Sequence, residues 1–572
     1  MRFVLAIISF VVAAVLIGAG IAQRTIFLEP DEVALSSESS SGAPVTVVDG
    51  TALNAYEGSQ TLTVSGSDQI VAAYGRTTDV VAWIGDTEYN RVGFDSETGE
   101  LTSELVPGAE KEVPTIVGSD LWLDEYERTS ALGLTVNVPD DISFIIISDG
   151  VEAAPADVSV SWPLDNSTPW AGPLIVAGAV VLLLGLAFLL WATNHMRGSH
   201  GPRRKPQKMP KVPRKPLYKP RRVAIEKRSM IAVPVLLVGA LTLAGCTADG
   251  AVTSSVAAPT PSSTADSTEA QADPPAATVS QVERIVANIS TVAAKADADK
   301  DATLLATRFQ GAALELRTAN YAITAADPTL AGLTAIPSGP VKVTLPQQTD
   351  TWPRTVFAVI QDDTDSTVPP LALFLEQQDA RSNYKVSYAI TLEPSAVLPK
   401  VAPAAIGTSR LSDDSPVLRL SPEELALGYA DILETDVDSD AYLDFEAEGD
   451  SLRENVGVTY KAGVRAALPT TASVAFGHAL GAAPAIALAT NDAGAIIAVN
   501  LNETTTVTPI ETGAAVNPTG QVKALSGLAV STKGVVATYG DQLLFYVPPA
   551  GSDAKIVLLG YTQGLVKAGE VG

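Results

Sequence analysis

Apolar and polar residues follow three different rhythms along this chain. Phe3 to Ala22, Ala171 to Ala192 and Met230 to Gly245 are almost wholly apolar. About twenty apolar residues suffice to carry a helix across the hydrocarbon core of a bilayer, so the first two runs predict transmembrane helices over 1–23 and 170–192. Trp170 and Trp191 flank the second run, as an interfacial aromatic belt would. The first run follows Arg2 and fits an uncleaved anchor or a secretory signal; the poor cleavage sequence Ala22-Gln23-Arg24 speaks for the anchor.

Between the first two runs, over 24–168, the rhythm is that of strands. Val45 to Val48, Leu62 to Val64, Val80 to Ile84, Leu134 to Val138, Phe144 to Ile147 and Val158 to Trp162 are rich in β-branched and aromatic residues. Asp49-Gly50, Gly66-Ser67 and Asp149-Gly150 separate them as turns. Short strands without helices predict an external β-sandwich-like domain.

Beyond residue 280 helical and strand rhythms combine, and the pattern occurs twice, over 280–402 and 403–572. Each copy opens on an amphipathic stretch, Val282 to Ala294 and Ser421 to Leu433. An acidic run follows, Asp297-Ala298-Asp299-Lys300-Asp301 and then Asp436-Val437-Asp438-Ser439-Asp440. Strands complete each copy: Val341 to Leu345, Thr355 to Ile360, Leu371 to Leu375 and Tyr384 to Leu392 in the first; Ala485 to Ala489, Ala495 to Asn500, Gly534 to Tyr539, Leu543 to Val547 and Ile556 to Leu559 in the second. A repeat this long means duplicated domains, not a solenoid. Helices followed by a curved antiparallel sheet resemble the cystatin-like cone of the nuclear-transport-factor superfamily. The expected fold class is therefore multidomain: transmembrane helices, an all-β sandwich-like external domain and a tandem α+β, cystatin-like cone external region.

Charge orients these parts. The net charge of −26 conceals a basic block from Arg197 to Arg228, in which Glu226 is the one acid. The positive-inside rule places this Pro-rich strap, 193–229, in the cytoplasm, where it can touch anionic lipid heads. The strongly acidic remainder repels nucleic acid. The third run, 230–246, ends in Leu243-Ala244-Gly245-Cys246, a lipobox whose lipidation site would be Cys246, the sole cysteine. Residues 247–279 are Ala, Ser, Thr and Pro with little else and predict a flexible tether. Residues 23–170 and 246–572 then lie outside the cytoplasmic membrane. Cleavage before Cys246 would yield a two-span membrane protein and a lipoprotein; without it the chain has three spans. A fusion of two neighbouring reading frames would give the same pattern.

At Trp352-Pro353-Arg354 and Ala380-Arg381-Ser382-Asn383-Tyr384-Lys385 the chain resembles an actinobacterial membrane or lipoprotein family that carries a domain of unknown function. Its members are sometimes labelled "glycosyl transferase". The resemblance covers roughly 280–572 and implies a membrane-associated protein without established activity.

Candidate chemistry is sparse. His195 and His200 sit in the basic strap, and His478 stands alone among apolar neighbours, as structural histidines usually do. No Cys/His cluster has metal-ligand spacing, and no phosphate-binding loop, dinucleotide motif or nucleophile elbow occurs. Asp436, Asp438 and Asp440 begin like an EF-hand loop, but Ala441 and Ala447 stand where Gly and Glu are required, so a solvated acidic turn is expected. No cofactor is expected. Trp352, Arg354, Arg381, Asn383 and Tyr384 are the candidate binding surface; Trp352 and Tyr384 could equally serve packing. The expected function is a non-enzymatic binding or scaffolding module of the cell envelope. Its partners would be membrane lipids and an envelope protein or cell-wall polymer. The alternative is an envelope glycosyltransferase or cell-wall hydrolase.

Overall fold

Apolar stretches and short β-branched runs set most of the elements seen in the computed structural model, which describes residues 2–28, 30–38, 42–155, 157–164, 166–197, 272–362 and 367–572. The basic strap beyond Arg197, the third apolar run, the lipobox with Cys246 and most of the tether lie outside the described residues. The fold is multidomain α+β, with a nearly closed mixed sheet, two antiparallel sheets and two long apolar helices. It falls into two compact units, residues 1–28 with 167–270 and residues 29–166 with 271–572. The chain opens on the first apolar helix, α1 (Arg2–Thr25).

The β-module follows: β1 (Glu32–Glu38), β2 (Val45–Val48), α2 (Gly50–Leu53), β3 (Gln60–Arg76), α3 (Thr77–Ile84), β4 (Tyr89–Asp95), β5 (Glu100–Val106), β6 (Asp124–Val136), β7 (Ile142–Ile147) and β8 (Asp157–Pro163). The strand order is β1-β8-β3-β7-β2-β4-β5, with β6 also on β3. Only β2 and β4 run parallel. One curled sheet thus replaces the expected sandwich. The reason is β3, which pairs with β8 through Thr61–Ser65 and with β7 through Val71–Arg76. A single long strand joins what would otherwise be two sheets. The Gly66-Ser67 pair, read as a turn, is a bulge inside that strand, where the register with β6 shifts between Ser65 and Gln69.

Val80 to Ile84, read as a strand, belongs to α3. Val80, Trp83 and Ile84 are buried while Val81 is exposed, the spacing of a helix face rather than a strand face. They cover a second apolar face of the sheet, made by Val45, Val47, Val71, Ala73, Ile145 and Ile147.

The second long apolar helix, α4 (Ala171–Arg197), packs antiparallel on α1. Both are long and apolar enough to cross a membrane, each with a mean hydropathy of 2.8. Small residues recur every seventh position on both: Ala6, Ala13 and Gly20 on α1; Ala171, Gly178, Gly185 and Ala192 on α4. A side chain at Gly178 would meet Ile17 Cγ1 at 2.6 Å, and one at Gly20 would meet Ile175 Cγ1 at 2.6 Å. Small residues let the two backbones approach, which is how helices associate where no hydrophobic effect separates them from lipid.

The remaining elements begin earlier than the tether expectation placed them. Ala276 and Ala277 are buried, and the Ala276 amide donates to Gln347 O. Then come α5 (Val279–Asp299), α6 (Ala302–Leu305), α7 (Gly311–Ala326), β9 (Val341–Pro346), β10 (Arg354–Ile360), β11 (Leu371–Gln377) and β12 (Lys385–Thr391). Thr278 and Gln281 close a capping box on α5. The sheet order is β12-β11-β10-β9. The second half has β13 (Arg410–Leu411), α8 (Pro422–Thr435), α9 (Ser451–Val456), α10 (Val458–Ala467), β14 (Ala472–Leu480), β15 (Ile486–Ala489), β16 (Ala495–Pro509), α11 (Gly520–Ser526), β17 (Val535–Val547) and β18 (Val557–Glu570). Its order is β13-β15-β16-β17-β18, with β14 also on β16.

The two sheets pack face to face. Phe357, Phe374, Tyr388 and Ile390 from the first meet Ile486, Leu488, Ile496 and Leu544 from the second. Their outer faces carry the helices, α5 on the first and α8 on the second. The result is four layers, helix, sheet, sheet, helix, in which β10 and β11 are buried on both faces.

Candidate functional site

The five residues singled out from sequence converge on one place, the β-module of the same chain. Arg354 Nη2 donates to Asp79 Oδ1 at 2.5 Å, and both side chains are almost wholly shielded from solvent. Asp79 lies in the first turn of α3, and its other oxygen takes Arg76 Nε at 2.8 Å. Trp352 lies against the Arg354 guanidinium, 3.8 Å from ring centroid to Cζ, and donates its indole N–H to Gln377. Arg381 reaches the other end of α3. Its Nε and Nη2 donate to the carbonyls of Trp83 and Ile84, each at 2.8 Å, and its guanidinium also meets Glu110 at 3.1 Å. A cation on the last free carbonyls of a helix satisfies them and complements the helix dipole. The helix is therefore held at both ends by arginines of the second module.

Asp120 is the other anchor. It is buried and accepts a two-pronged contact from Arg308 together with the backbone N–H of Tyr384 at 3.0 Å. Asn383 accepts from the Asp120 amide at 2.9 Å and donates to Gly118 O. Tyr384 is buried, its hydroxyl directed at Ala276 O, and burial pushes its pKa above the ordinary tyrosine range. Gln281 and Arg284 of α5 donate to the carbonyls of Leu121, Trp122 and Leu123. Ala380 and Trp352 complete the apolar cluster around Trp83 and Trp122.

Sequence reasoning missed a second cluster. His478 is not isolated in space. On β14 its Nε2 lies 2.9 Å from Glu503 Oε1 and 3.0 Å from Lys461 Nζ, and its Nδ1 lies 3.4 Å from Glu434. Lys461 of α10 also donates to Leu433 O at 2.8 Å and meets Glu503 at 3.4 Å. Burial lowers the Lys461 pKa, with Glu503 opposing the shift. One residue pair deeper on the same sheet face, Asp541 is fully buried and neither carboxyl oxygen has a hydrogen-bond partner. Burial, reinforced by Glu503, raises its pKa well above the ordinary range. A cavity of about 180 Å³ lies beside this cluster, walled by Tyr460, Phe476 and Tyr539. These groups come from five elements spread over more than a hundred residues, so no local motif announces them.

The acidic runs serve local structure. Asp297 takes Arg317 and the Tyr321 hydroxyl, and Asp301 caps α6. Asp436, which ends α8, takes Arg453. Asp438 and Asp440 lie beside it, and among the described residues no group of three or more His, Cys, Asp or Glu could hold a metal ion.

No curated protein and no solved structure matches this chain. Residues 273–570 match the family described as "Domain of unknown function (DUF8094)". The match begins at the segment that packs ahead of α5, runs through both halves of the four-layered domain and includes Arg354 and Arg381, which reach α3. It covers more than half of the 572 residues, and the chain belongs to the DUF8094 family.

Proposed function

We propose that this protein is a membrane-anchored scaffold of the cell envelope, displayed outside the cytoplasmic membrane, whose 273–570 domain works by holding a folded protein partner. The partner at hand is its own β-module. The observation that carries this reading is the grip on α3: Arg354 at its first turn, Arg381 at its last carbonyls, and Asp120 locked by Arg308 beside it. Buried arginine forks of this kind make specific protein–protein contacts, because leaving one partner unpaired is costly. The two long apolar helices and the basic block after α4 support anchoring with the folded parts outside.

The test is a protease site introduced between residues 198 and 271 of the full-length protein, followed by gel filtration in detergent after cutting. The two fragments should remain together. Arg354→Ala combined with Arg381→Ala should let the 272–572 fragment leave. Separation of the unmutated fragments would remove the basis for the scaffold reading.

A further inference from the structure

The cavity beneath α10 has a chemistry of its own, independent of the docking of the two modules. Lys461 lines it, and among the described residues it is the one buried lysine, 4% exposed. Its nitrogen faces two groups that can exchange protons with it, His478 Nε2 at 3.0 Å and Glu503 Oε1 at 3.4 Å. Gln563 donates to the other Glu503 oxygen at 3.1 Å and fixes that carboxyl in place. The rings of Tyr460, Phe476 and Tyr539 supply apolar walls.

We propose that this cavity is a binding site for a small uncharged aldehyde or ketone, which the Lys461 amine captures as an imine. Burial favours the neutral, nucleophilic form of the amine, which is how lysines become reactive toward carbonyl groups. The Nζ lone pair forms a bond to the carbonyl carbon, and the carbonyl π pair moves to oxygen. Glu503 or His478 takes the two protons released in turn from nitrogen and returns both to that oxygen, the first giving a carbinolamine. The oxygen then departs as water when the C=N bond forms. Amine plus carbonyl gives imine plus water, with no oxidant or reductant required. An uncharged ligand follows from the surroundings. Glu434 and Glu503 already bring two carboxyl groups to the cluster, and an anionic ligand would add another. The cavity volume limits the ligand to a few carbon atoms beyond the carbonyl.

Full-length protein treated with propanal and cyanoborohydride at pH 7, then digested and mapped by mass spectrometry, tests this directly. Burial lowers the Lys461 amine pKa and so raises its neutral fraction at pH 7, so Lys461 should be alkylated several times faster than exposed lysines. Lys295 and Lys533, at 68% and 65% side-chain exposure, are the internal references. Tyr539→Trp, which fills the cavity, should block alkylation at Lys461 while leaving the references unchanged. Alkylation of Lys461 no faster than of Lys295 would overturn the proposal and leave Lys461 and Glu503 as a structural ion pair.

Discussion

Arg354 and Asp79 stand 275 positions apart in the chain, yet their side chains meet at 2.5 Å in a setting almost closed to water. Such a pair stabilises only while both members are present. Arg354→Ala leaves buried Asp79 with Arg76 as its one charged partner and should cost about 3 kcal/mol, read from urea unfolding of the full-length protein. Asp79→Ala should cost a similar amount. The double variant should cost clearly less than the two losses added, because the second substitution removes a charge that has already lost its most deeply buried partner. Simple additivity would mean that the two residues do not act as a pair.

Arg381 caps α3 from another module, so the helix should loosen without it. Amide hydrogen exchange at Val81 to Thr87 should accelerate about tenfold in Arg381→Ala, an opening cheaper by about 1.4 kcal/mol. Arg381→Lys should recover little of this. A compact ammonium cannot span the Trp83 and Ile84 carbonyls and Glu110 together. Unchanged exchange in Arg381→Ala would show that α3 holds its own end.

Trp352-Pro353-Arg354 and the 380–385 segment stood out in the sequence as a candidate binding surface, with packing an equal reading for Trp352 and Tyr384. What they touch was not legible, since the contacts span well over two hundred residues and no local pattern encodes them. Strands with continuous β-branched runs, such as Phe144 to Ile147, were read directly. β1, β4 and β5 were not, because Glu, Ser, Arg and Asp interrupt them and they carry exposed positions. The Val80–Ile84 error has a physical origin. β-branched residues favour strands only weakly, and the burial of Val80, Trp83 and Ile84 against the sheet decides for a helix. The Lys461, His478, Glu503 and Asp541 cluster was invisible because it exists only once β14, β16 and β17 stand side by side.

Asp541 should leave a signature in the pH dependence of stability. Its folded pKa is raised above the unfolded value, so the folded protein binds more protons than the unfolded chain does. Stability from this group is fully present below the unfolded pKa, near 4, and is lost as pH rises toward the raised folded value. The loss approaches about 1.4 kcal/mol per pH unit within that window. Asp541→Asn, which cannot ionise, should gain stability relative to the unmutated protein as pH rises from 4 to 8. Melting curves at several pH values would measure it, and a constant difference across that range would contradict the assignment.

Gly178 and Gly172 lie on the same helix but differ in their surroundings. A side chain at Gly178 collides with Ile17, whereas one at Gly172 has no atom within 4 Å. Gly178→Leu should therefore lower the melting temperature of the α1–α4 pair in detergent, followed by helical circular dichroism, and Gly172→Leu should not. Equal behaviour of the two variants would argue against close packing of these helices.

The face-to-face arrangement of the two sheets has a consequence for heredity as much as for folding. A surface such as Phe357, Phe374 and Tyr388 is finished only by Ile486, Ile496 and Leu544 from the other half. Neither half can be inherited, exchanged or shed alone without laying open a broad oily plane. The two halves form a single packed module, and the family match takes in both of them.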